Sequence, residues 1–138
     1  MAKNIVIIVL ALAILGGAAY LIKVSQPRVA VATLNSQNNS GQAGTATVIN
    51  LPDGNAKVTI TLFGVTAGVS QPAHIHEGTC ENLGDVKYPL INLLNGNSET
   101  IIYTDVAKLG RNLPLAINVH KSEKDQSVYT SCGNLQIP

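Results

Sequence analysis

The sequence predicts an all-β sandwich or barrel preceded by one apolar helix. Two observations carry this prediction: short segments of β-strand composition recur along residues 28–138 with turn residues between them, and one unbroken apolar run stands near the start. A chain of 138 residues has room for one ordinary domain and an N-terminal appendage. We therefore expect an N-terminal membrane anchor or signal peptide, residues 1–23, a linker, residues 24–27, and one β domain, residues 28–138.

The N-terminal segment runs from Ile5 to Ile22 without a charge, between Lys3 and Lys23. Its length just spans a hydrocarbon core of about 30 Å at about 1.5 Å per helical residue. A cleaved signal peptide is the alternative, since residues 17–19 are the small residues that cleavage requires. Either interpretation predicts an extracytoplasmic domain, anchored to the cytoplasmic membrane through this helix or secreted after cleavage.

Charge is sparse and balanced, with nine basic and eight acidic residues and a formal net charge of +1. Basic residues form no run that could follow a phosphate backbone, so we expect no nucleic-acid partner. The chain also lacks a glycine-rich phosphate loop before a helix and a serine in the context of a nucleophile elbow. Nothing in the sequence predicts an oligomeric state.

The predicted strands follow one another at short intervals. Lys57–Phe63 alternates between polar and apolar residues and follows a turn at Pro52–Asn55. The polar stretch Asn35–Gly44 predicts a loop, and Asp105–Leu109 is compatible with one helical turn. The other predicted strands have β-prone composition: Arg28–Leu34, Thr45–Leu51, Ala73–His76, Thr100–Thr104, Pro114–His120 and Ser127–Leu135.

The chain has two cysteines, Cys80 and Cys132. An even number of cysteines in an exported chain favours a disulfide. Closing a loop of about fifty residues would stabilise the fold by about 4 kcal/mol in the chain-entropy model. Two free thiols remain the alternative at this point.

All three histidines, His74, His76 and His120, lie in predicted strands. Residues i and i+2 of a strand point to one face, so His74 and His76 can converge on a point that His120 completes from another strand. Three protein nitrogens leave an open position on a metal, and such a site suits copper or zinc, with Cu(II) favoured by affinity. Alternatively, the first two are surface or core histidines and His120 is unrelated to them in space.

The order of these features resembles the copper/zinc superoxide dismutase family over about residues 28–138, with gaps. Phe63–Glu77 resembles the glycine-bearing loop and His-x-His-Glu strand of that family, and Leu115–His120 resembles the strand that ends in a further copper ligand. Tyr129–Gly133 resembles the strand that carries the second disulfide cysteine. The resemblance implies a Greek-key β-sandwich or barrel, copper as cofactor, and these metal ligands and disulfide partners: His74, His76, His120, Cys80 and Cys132.

The sequence departs from that family at the zinc site. No histidine remains for a metal-bridging ligand or zinc ligands, and most of the zinc loop has no counterpart between Glu81 and Thr100, so we expect that zinc site to be absent. Tyr129 stands where the family has its active-site arginine, three residues before the last cysteine, so guidance of superoxide by a fixed cation there is in doubt. The sequence names no catalytic residue beyond the ligands.

Ala73–Glu77 and Asn118–His120 also resemble chordin-type (CHRD) domains, β-sandwich modules that imply no particular chemistry. Two functions from different classes follow. The first is a membrane-tethered extracytoplasmic copper protein that acts on a small oxygen species, with superoxide dismutation at a three-histidine site. The second is a non-catalytic structural or interaction module of the cell envelope that holds no metal.

Overall fold

The computed structural model describes residues 29–137 and, ahead of them, two dipeptides of extended backbone, Ile7–Ile8 and Leu21–Ile22, that pair antiparallel. Apart from these dipeptides, the segment that we expect to form a membrane or signal helix lies outside the described residues. Within the part of the chain that the structure describes, no helix is long and apolar enough to cross a membrane.

Ten strands and one short helix make up the domain, which confirms the predicted all-β class. The helix, α1, spans Val106–Arg111 between the eighth and ninth strands. The strands are β1 Val29–Ser36, β2 Ala43–Asn50, β3 Ala56–Phe63, β4 Ser70–Gln71, β5 Ala73–Thr79, β6 Asn82–Pro89, β7 Leu93–Leu94, β8 Asn97–Ile102, β9 Leu115–His120 and β10 Tyr129–Asn134.

The strands form one continuous antiparallel sheet in the order β4-β7-β8-β3-β2-β1-β10-β9-β5-β6. The pairing of β1 with β10 spans only two residue pairs, Ser131 with Ser36 and Cys132 with Asn35, so the sheet divides there into two halves. Pro72 alone separates β4, at one edge, from β5 in the other half. The sheet therefore curls back towards itself as a half-open barrel.

The core fills the inside of the curled sheet with alternate residues of each strand. In β3, for example, buried and partly exposed residues alternate from Ala56 to Leu62. Phe63, the sole phenylalanine of the chain, is exposed. The fully buried interior is therefore packed with alanine, valine, leucine and isoleucine, and its largest members are Leu34, Ile60, Ile75, Leu93, Leu109, Leu115 and Ile117.

Strand β9 is buried on both faces, which is unusual for an antiparallel strand at the surface of a barrel. Leu115, Ile117 and Val119 belong to the hydrophobic core. The alternate residues point to the outer face and are also buried: Ala116, Asn118 and His120. The three predicted ligands lie on this covered outer face, where β5 and β10 flank β9.

Some predicted boundaries were wrong, for reasons visible in the pairing. Strand β6 was not predicted, because it is an edge strand whose mostly exposed residues show no polar and apolar alternation. The strand expected at Thr100–Thr104 lies at Asn97–Ile102, where all six residues pair with β3. The ends of the expected loop Asn35–Gly44 belong to β1 and β2. Helix α1 follows Asp105, whose carboxylate accepts a hydrogen bond from the Lys108 amide.

Candidate metal centre

Two neighbouring strands bring the three histidines together. In the antiparallel register of β5 and β9, Asn118 lies opposite His74 and Ala116 lies opposite His76. His120 follows Asn118 by two residues on the same strand face, so it lies beside His74. One nitrogen from each ring lies within 4.8 Å of the others, and within residues 29–137 no second group of three potential ligands is this close.

Backbone carbonyls orient the rings of His76 and His120. The Nδ1 atom of His76 lies 2.9 Å from the carbonyl oxygen of Gly84, and Nδ1 of His120 contacts the carbonyl oxygen of Gln126. A carbonyl oxygen only accepts hydrogen bonds, so each Nδ1 carries the hydrogen and each Nε2 keeps its lone pair. The two Nε2 atoms are therefore the donors that these rings offer to an ion.

His74 offers its other nitrogen. Its Nδ1 lies 3.0 Å from Nε2 of His120, and because that Nε2 is an acceptor, Nδ1 of His74 donates this hydrogen bond. Two nitrogens bound to one ion at about 2.0–2.1 Å each are separated by about 3.3 Å at a tetrahedral angle. The observed separation of 3.0 Å is compatible with a hydrogen bond between the two nitrogens when no metal is bound. It is also compatible with one ion bound to both nitrogens in place of the hydrogen.

Two buried side-chain atoms of this region have no hydrogen-bond partner: Nε2 of His76 and Oδ1 of Asn118. Both atoms are acceptors, and a buried acceptor without a donor costs about 1–3 kcal/mol. A cation among the rings would satisfy Nε2 of His76. The residues present therefore fit a metal ion, because this unpaired nitrogen belongs to a group of three converging imidazoles.

Burial lowers the pKa of His74, and repulsion from a positive charge on His120, and then on His76, lowers it further. Burial also lowers the pKa of His120; the carbonyl of Gln126 partly offsets this, and His76 adds to the lowering. The neutral forms of both rings are thus favoured near neutral pH. Only the neutral imidazole has the lone pair that binds a metal.

Loop 121–128 covers His120 on the outer face. The Lys121 amide donates to the Val128 carbonyl at 2.8 Å, which closes the base of the loop. The carboxylate of Glu123 accepts hydrogen bonds from Asn92 Nδ2 at 2.9 Å and from Ser70 Oγ at 3.2 Å. These contacts tie the loop to the other half of the sheet and hold its carbonyl groups over His120.

The hairpin of β5 and β6 brings the second carbonyl to the site. Its register shifts on both sides of His76, which bends β6 around that ring. Gly78 has a φ of +90°, and a Cβ there would collide with the carbonyl of Asn82. The orienting contacts of Gly84 and Gln126 could not be predicted from the sequence, because any residue type supplies a backbone carbonyl.

The two cysteines form a disulfide that frames the site. It joins the turn after β5 to β10, and so connects the two strands that flank β9. Cys132 lies opposite Asn118 in the register of β9 and β10. The Cys80 amide donates to Asn134 Oδ1 at 2.8 Å, which adds a polar contact across the same junction.

Tyr129, which stands where the resemblance would place an arginine, lies beside His120. The two rings lie edge to face, with centroids 5.1 Å apart. The nearby Lys121 pairs with Asp125 at 3.4 Å in an exposed ion pair. On the β5 side, Lys87 donates to Glu77 at 2.9 Å.

No protein-family model matches the sequence, and no curated protein matches it. Solved structures do match: superoxide dismutase 5 of Candida albicans, in a structure titled with Cu(II), is 18% identical, covers 82% of this chain and 94% of its own, and has a TM-score of 0.59. A structure of a point mutant of the same enzyme is 16% identical, with coverages of 80% and 92% and a TM-score of 0.61. The chain has the superoxide dismutase fold.

This likeness confirms the resemblance to copper/zinc superoxide dismutases at the level of the fold, together with a disulfide and a three-histidine group. At such low identity, the likeness shows the fold and not the site. The ligand roles of His74, His76 and His120 stay predictions, as does the resemblance to CHRD domains.

Proposed function

We propose that this protein is a copper-binding, superoxide dismutase-like protein that acts outside the cytoplasm. The observation that carries the proposal is the convergence of one nitrogen from each of three imidazoles, together with the burial of Nε2 of His76 without a hydrogen-bond partner. The ion would be held by Nδ1 of His74 and by Nε2 of His76 and His120. Three neutral nitrogens favour Cu(II) among the common divalent ions, and imidazole also suits Cu(I).

Copper in this site would supply one-electron chemistry: one superoxide ion loses an electron and leaves as O2, and a second gains that electron with two protons and leaves as hydrogen peroxide. The chain's own part is to keep the donors in place. Carbonyl contacts from Gly84 and Gln126 fix two of the rings, so little reorganisation is needed when the charge changes. His74 is only partly buried, so we expect a small oxygen species to approach the site from its side.

The charged side chains around the site favour association of superoxide without electrostatic steering. Tyr129 supplies no positive charge, Lys121 is paired with Asp125, and Lys124 of the same loop is exposed to screening by solvent. A substrate anion is steered strongly only where unscreened positive charge faces its approach. We therefore expect any dismutation rate to change little with ionic strength.

We infer further that the protein uses copper without a zinc partner. The chain has three histidines, and all of them belong to the one cluster. A second site that shares a bridging imidazole would have no further histidine to hold zinc.

The proposed location rests on the N-terminal segment and on the disulfide. Disulfides persist in oxidising compartments. The charge-free run from Ile5 to Ile22 would tether the domain to the cytoplasmic membrane, or direct its secretion if it is cleaved. The same division of the chain gives the proposed β domain, residues 28–138, which follows the N-terminal segment and a short linker.

Titration of the oxidised full-length protein in detergent with Cu(II), read by electron paramagnetic resonance, tests the proposed function. We expect one tightly bound copper per chain with hyperfine structure from nitrogen ligands, and a loss of affinity of at least about a hundredfold in His120→Ala, because one of three donors is gone. Lys124→Ala serves as the control, since it changes a charge on the same loop but removes no donor.

Weak copper binding that His120→Ala leaves unchanged would contradict the site. It would favour the CHRD-like alternative, a cell-envelope module in which the histidines only support the structure. If copper binds, a superoxide assay at low and high salt then separates a dismutase from a protein that binds copper without turnover.

A further inference from the structure

A cavity of about 480 Å³ lies between three loops at one end of the curled sheet: residues 37–42, residues 64–69 and loop 121–128. Its volume is within the range of about 300–1,000 Å³ that small-molecule sites occupy. Tyr129 lines the cavity and packs edge to face on His120, but none of the three histidines is among the described residues that line it. The cavity is therefore a neighbour of the candidate metal centre and a separate space.

Hydrogen bonds hold the loops around this cavity. Asn38 Nδ2 donates to the Tyr129 carbonyl at 2.8 Å, which fixes loop 37–42 to the start of β10. The Gly68 amide donates to Asn95 Oδ1 at 2.9 Å, which fixes loop 64–69 to the turn between β7 and β8. Because these walls are already ordered, little conformational entropy would be lost when a ligand binds.

Two buried glutamines line the cavity, Gln71 with 2% and Gln42 with 8% of its surface exposed. Nε2 of Gln71 donates to the His120 carbonyl and to Oε1 of Gln42, at 2.9 Å in each case. A carbonyl only accepts, so the nitrogen of Gln71 must face His120, and Gln42 must meet that nitrogen with its oxygen. The other two amide atoms, Oε1 of Gln71 and Nε2 of Gln42, are left over.

These two remaining atoms make no hydrogen bond within residues 29–137. Neither is among the fully enclosed atoms without a partner, so the small exposed surface of each residue includes the unbonded amide atom. Both residues line the cavity, which therefore presents an acceptor from Gln71 close to a donor from Gln42. A hydroxyl group both donates and accepts, and so complements such a pair.

The rest of the lining favours an uncharged ligand. Lys121 is the only charged residue among the described residues that line the cavity, and its amine pairs with Asp125 at 3.4 Å. Serine, threonine and asparagine supply further uncharged polar groups, while Val69 and Val128 supply apolar surface. A neutral molecule with several hydroxyl groups and some apolar surface matches this combination.

We propose that the cavity binds a neutral saccharide of one or two sugar units, with sugar hydroxyls donating to Oε1 of Gln71 and accepting from Nε2 of Gln42. The inference goes beyond the proposed function and needs no bound metal. It gives the extracytoplasmic domain a second site, beside the histidines, for a carbohydrate outside the cell.

Nuclear magnetic resonance of the full-length oxidised protein tests the proposal, without added metal and in a phosphocholine detergent, which carries no sugar. The neutral probes are glucose, galactose, mannose, N-acetylglucosamine, maltose and N,N′-diacetylchitobiose, and glucuronate is the charged counterpart of glucose. Shifts of the side-chain amide resonances of Gln42 and Gln71 report binding at the cavity itself.

Gln42→Met is the test variant, because methionine keeps the length of the side chain and removes the donor. Nε2 of Gln71 keeps the His120 carbonyl and Thr130 Oγ1 as acceptors in this variant, so the fold should be retained. Gln136→Met is the matched control, since Gln136 is an exposed glutamine outside the cavity.

We expect at least one neutral sugar to shift both side-chain amides, with a dissociation constant on the order of 1 mM. Loss of one hydrogen bond in Gln42→Met should weaken that binding by about threefold to tenfold. Gln136→Met should bind like wild type, and glucuronate should bind more weakly than glucose because no unpaired positive charge awaits it.

The proposal fails if none of the neutral sugars shifts the two amides, and the cavity then holds only water. Equal binding by Gln42→Met and Gln136→Met would also overturn it, as would tighter binding of glucuronate than of glucose. If Gln42→Met does not fold, the wild-type shifts decide: sugar-induced shifts that spare Gln42 and Gln71 place the sugar elsewhere and refute this site. Copper titration of the same protein succeeds or fails independently, so the two proposals are tested separately.

Discussion

At the scale of single residues, the site depends on which nitrogen of each ring faces inward. His76 and His120 donate from Nδ1 to backbone carbonyls, which leaves Nε2 of each ring free. His74 instead turns Nδ1 inward, against His120. Without an ion, that contact requires both rings to be neutral or one to hold a shared proton, since two protonated rings would face each other at 3.0 Å.

The pKa shifts of His74 and His120 predict that the metal-free protein loses stability as the pH falls below about 6.5. Burial is the largest cause of lowering in both cases. The unfolded chain, with ordinary pKa values, therefore takes up protons before the native state does. The contribution of these two histidines to the free energy of unfolding should be fully present above about pH 6.5. It should be lost as the pH falls through their lowered native pKa values.

Urea unfolding of the metal-free protein between about pH 7.5 and about pH 5.5 measures this effect, and the carboxylates titrate mostly below that window. We expect the urea midpoint to fall across the window and the fall to be shallower in His74→Asn. A midpoint that stays constant in wild type, or falls equally in the variant, would contradict the assignment to these histidines.

At the scale of elements, irregular segments orient the imidazole rings that the strands bring together. The register of β5 and β9 brings the rings together, while the β5 and β6 hairpin and loop 121–128 supply the carbonyls that orient them. The loop in turn depends on Glu123, which reaches Ser70 and Asn92. We expect Glu123 to act on His120 indirectly, as a positioning residue.

Glu123→Ala removes both contacts and should loosen the loop, so the carbonyl of Gln126 would hold the His120 ring less firmly. Each lost hydrogen bond contributes about 0.5–1.5 kcal/mol to holding the loop. Because only part of this energy acts on the His120 ring, we expect copper affinity to weaken by up to about tenfold, which is about 1.4 kcal/mol. Amide hydrogen exchange in residues 121–128 should quicken in parallel. Glu99→Ala is the control, since Glu99 forms an exposed pair with Lys57 in the other half of the sheet; an equal effect of both substitutions would refute the role of Glu123.

At the scale of the whole molecule, a core with small side chains is supported by a covalent link. Within residues 29–137, the fully buried hydrophobic residues include no aromatic side chain. The disulfide spans a sequence separation of 52 residues and connects the strands on either side of β9. It therefore stabilises the same half of the sheet that carries the histidines.

Replacing both cysteines by serine should lower the free energy of unfolding by about 4 kcal/mol in the chain-entropy model. For a domain of this size, the melting temperature should fall on the order of 15 °C. Thermal unfolding of the variant, with reduced wild-type protein as the control, measures the change. Melting curves that coincide with those of the oxidised wild type would show that the link does not constrain the unfolded chain.

The copper affinity of the same cysteine variant tests whether the disulfide contributes to metal binding as well as to stability. The β5 and β9 register holds the histidines through backbone pairing, and neither cysteine supplies a donor. Below its melting temperature, the variant should therefore bind copper within about tenfold of wild type. A complete loss of binding by folded variant would mean that the disulfide itself shapes the site.

The sequence by itself predicted the all-β class and pointed to His74, His76 and His120 as a possible metal group. It could do so because strand periodicity places residues i and i+2 on one face, and because imidazole is a strong metal ligand wherever it converges. It did not predict β6, whose exposed residues lack alternation, since the position of an edge strand depends on its neighbour.

Only the tertiary structure decided which atoms converge. The opposition of Asn118 and His74 follows from pairing between segments about forty residues apart, and no local pattern encodes that register. The orienting carbonyls of Gly84 and Gln126 carry no residue-type signal, and the complete burial of Asn118 beside His120 follows only from the fold. The sequence could name the candidate metal-binding side chains, whereas their geometry depends on long-range packing.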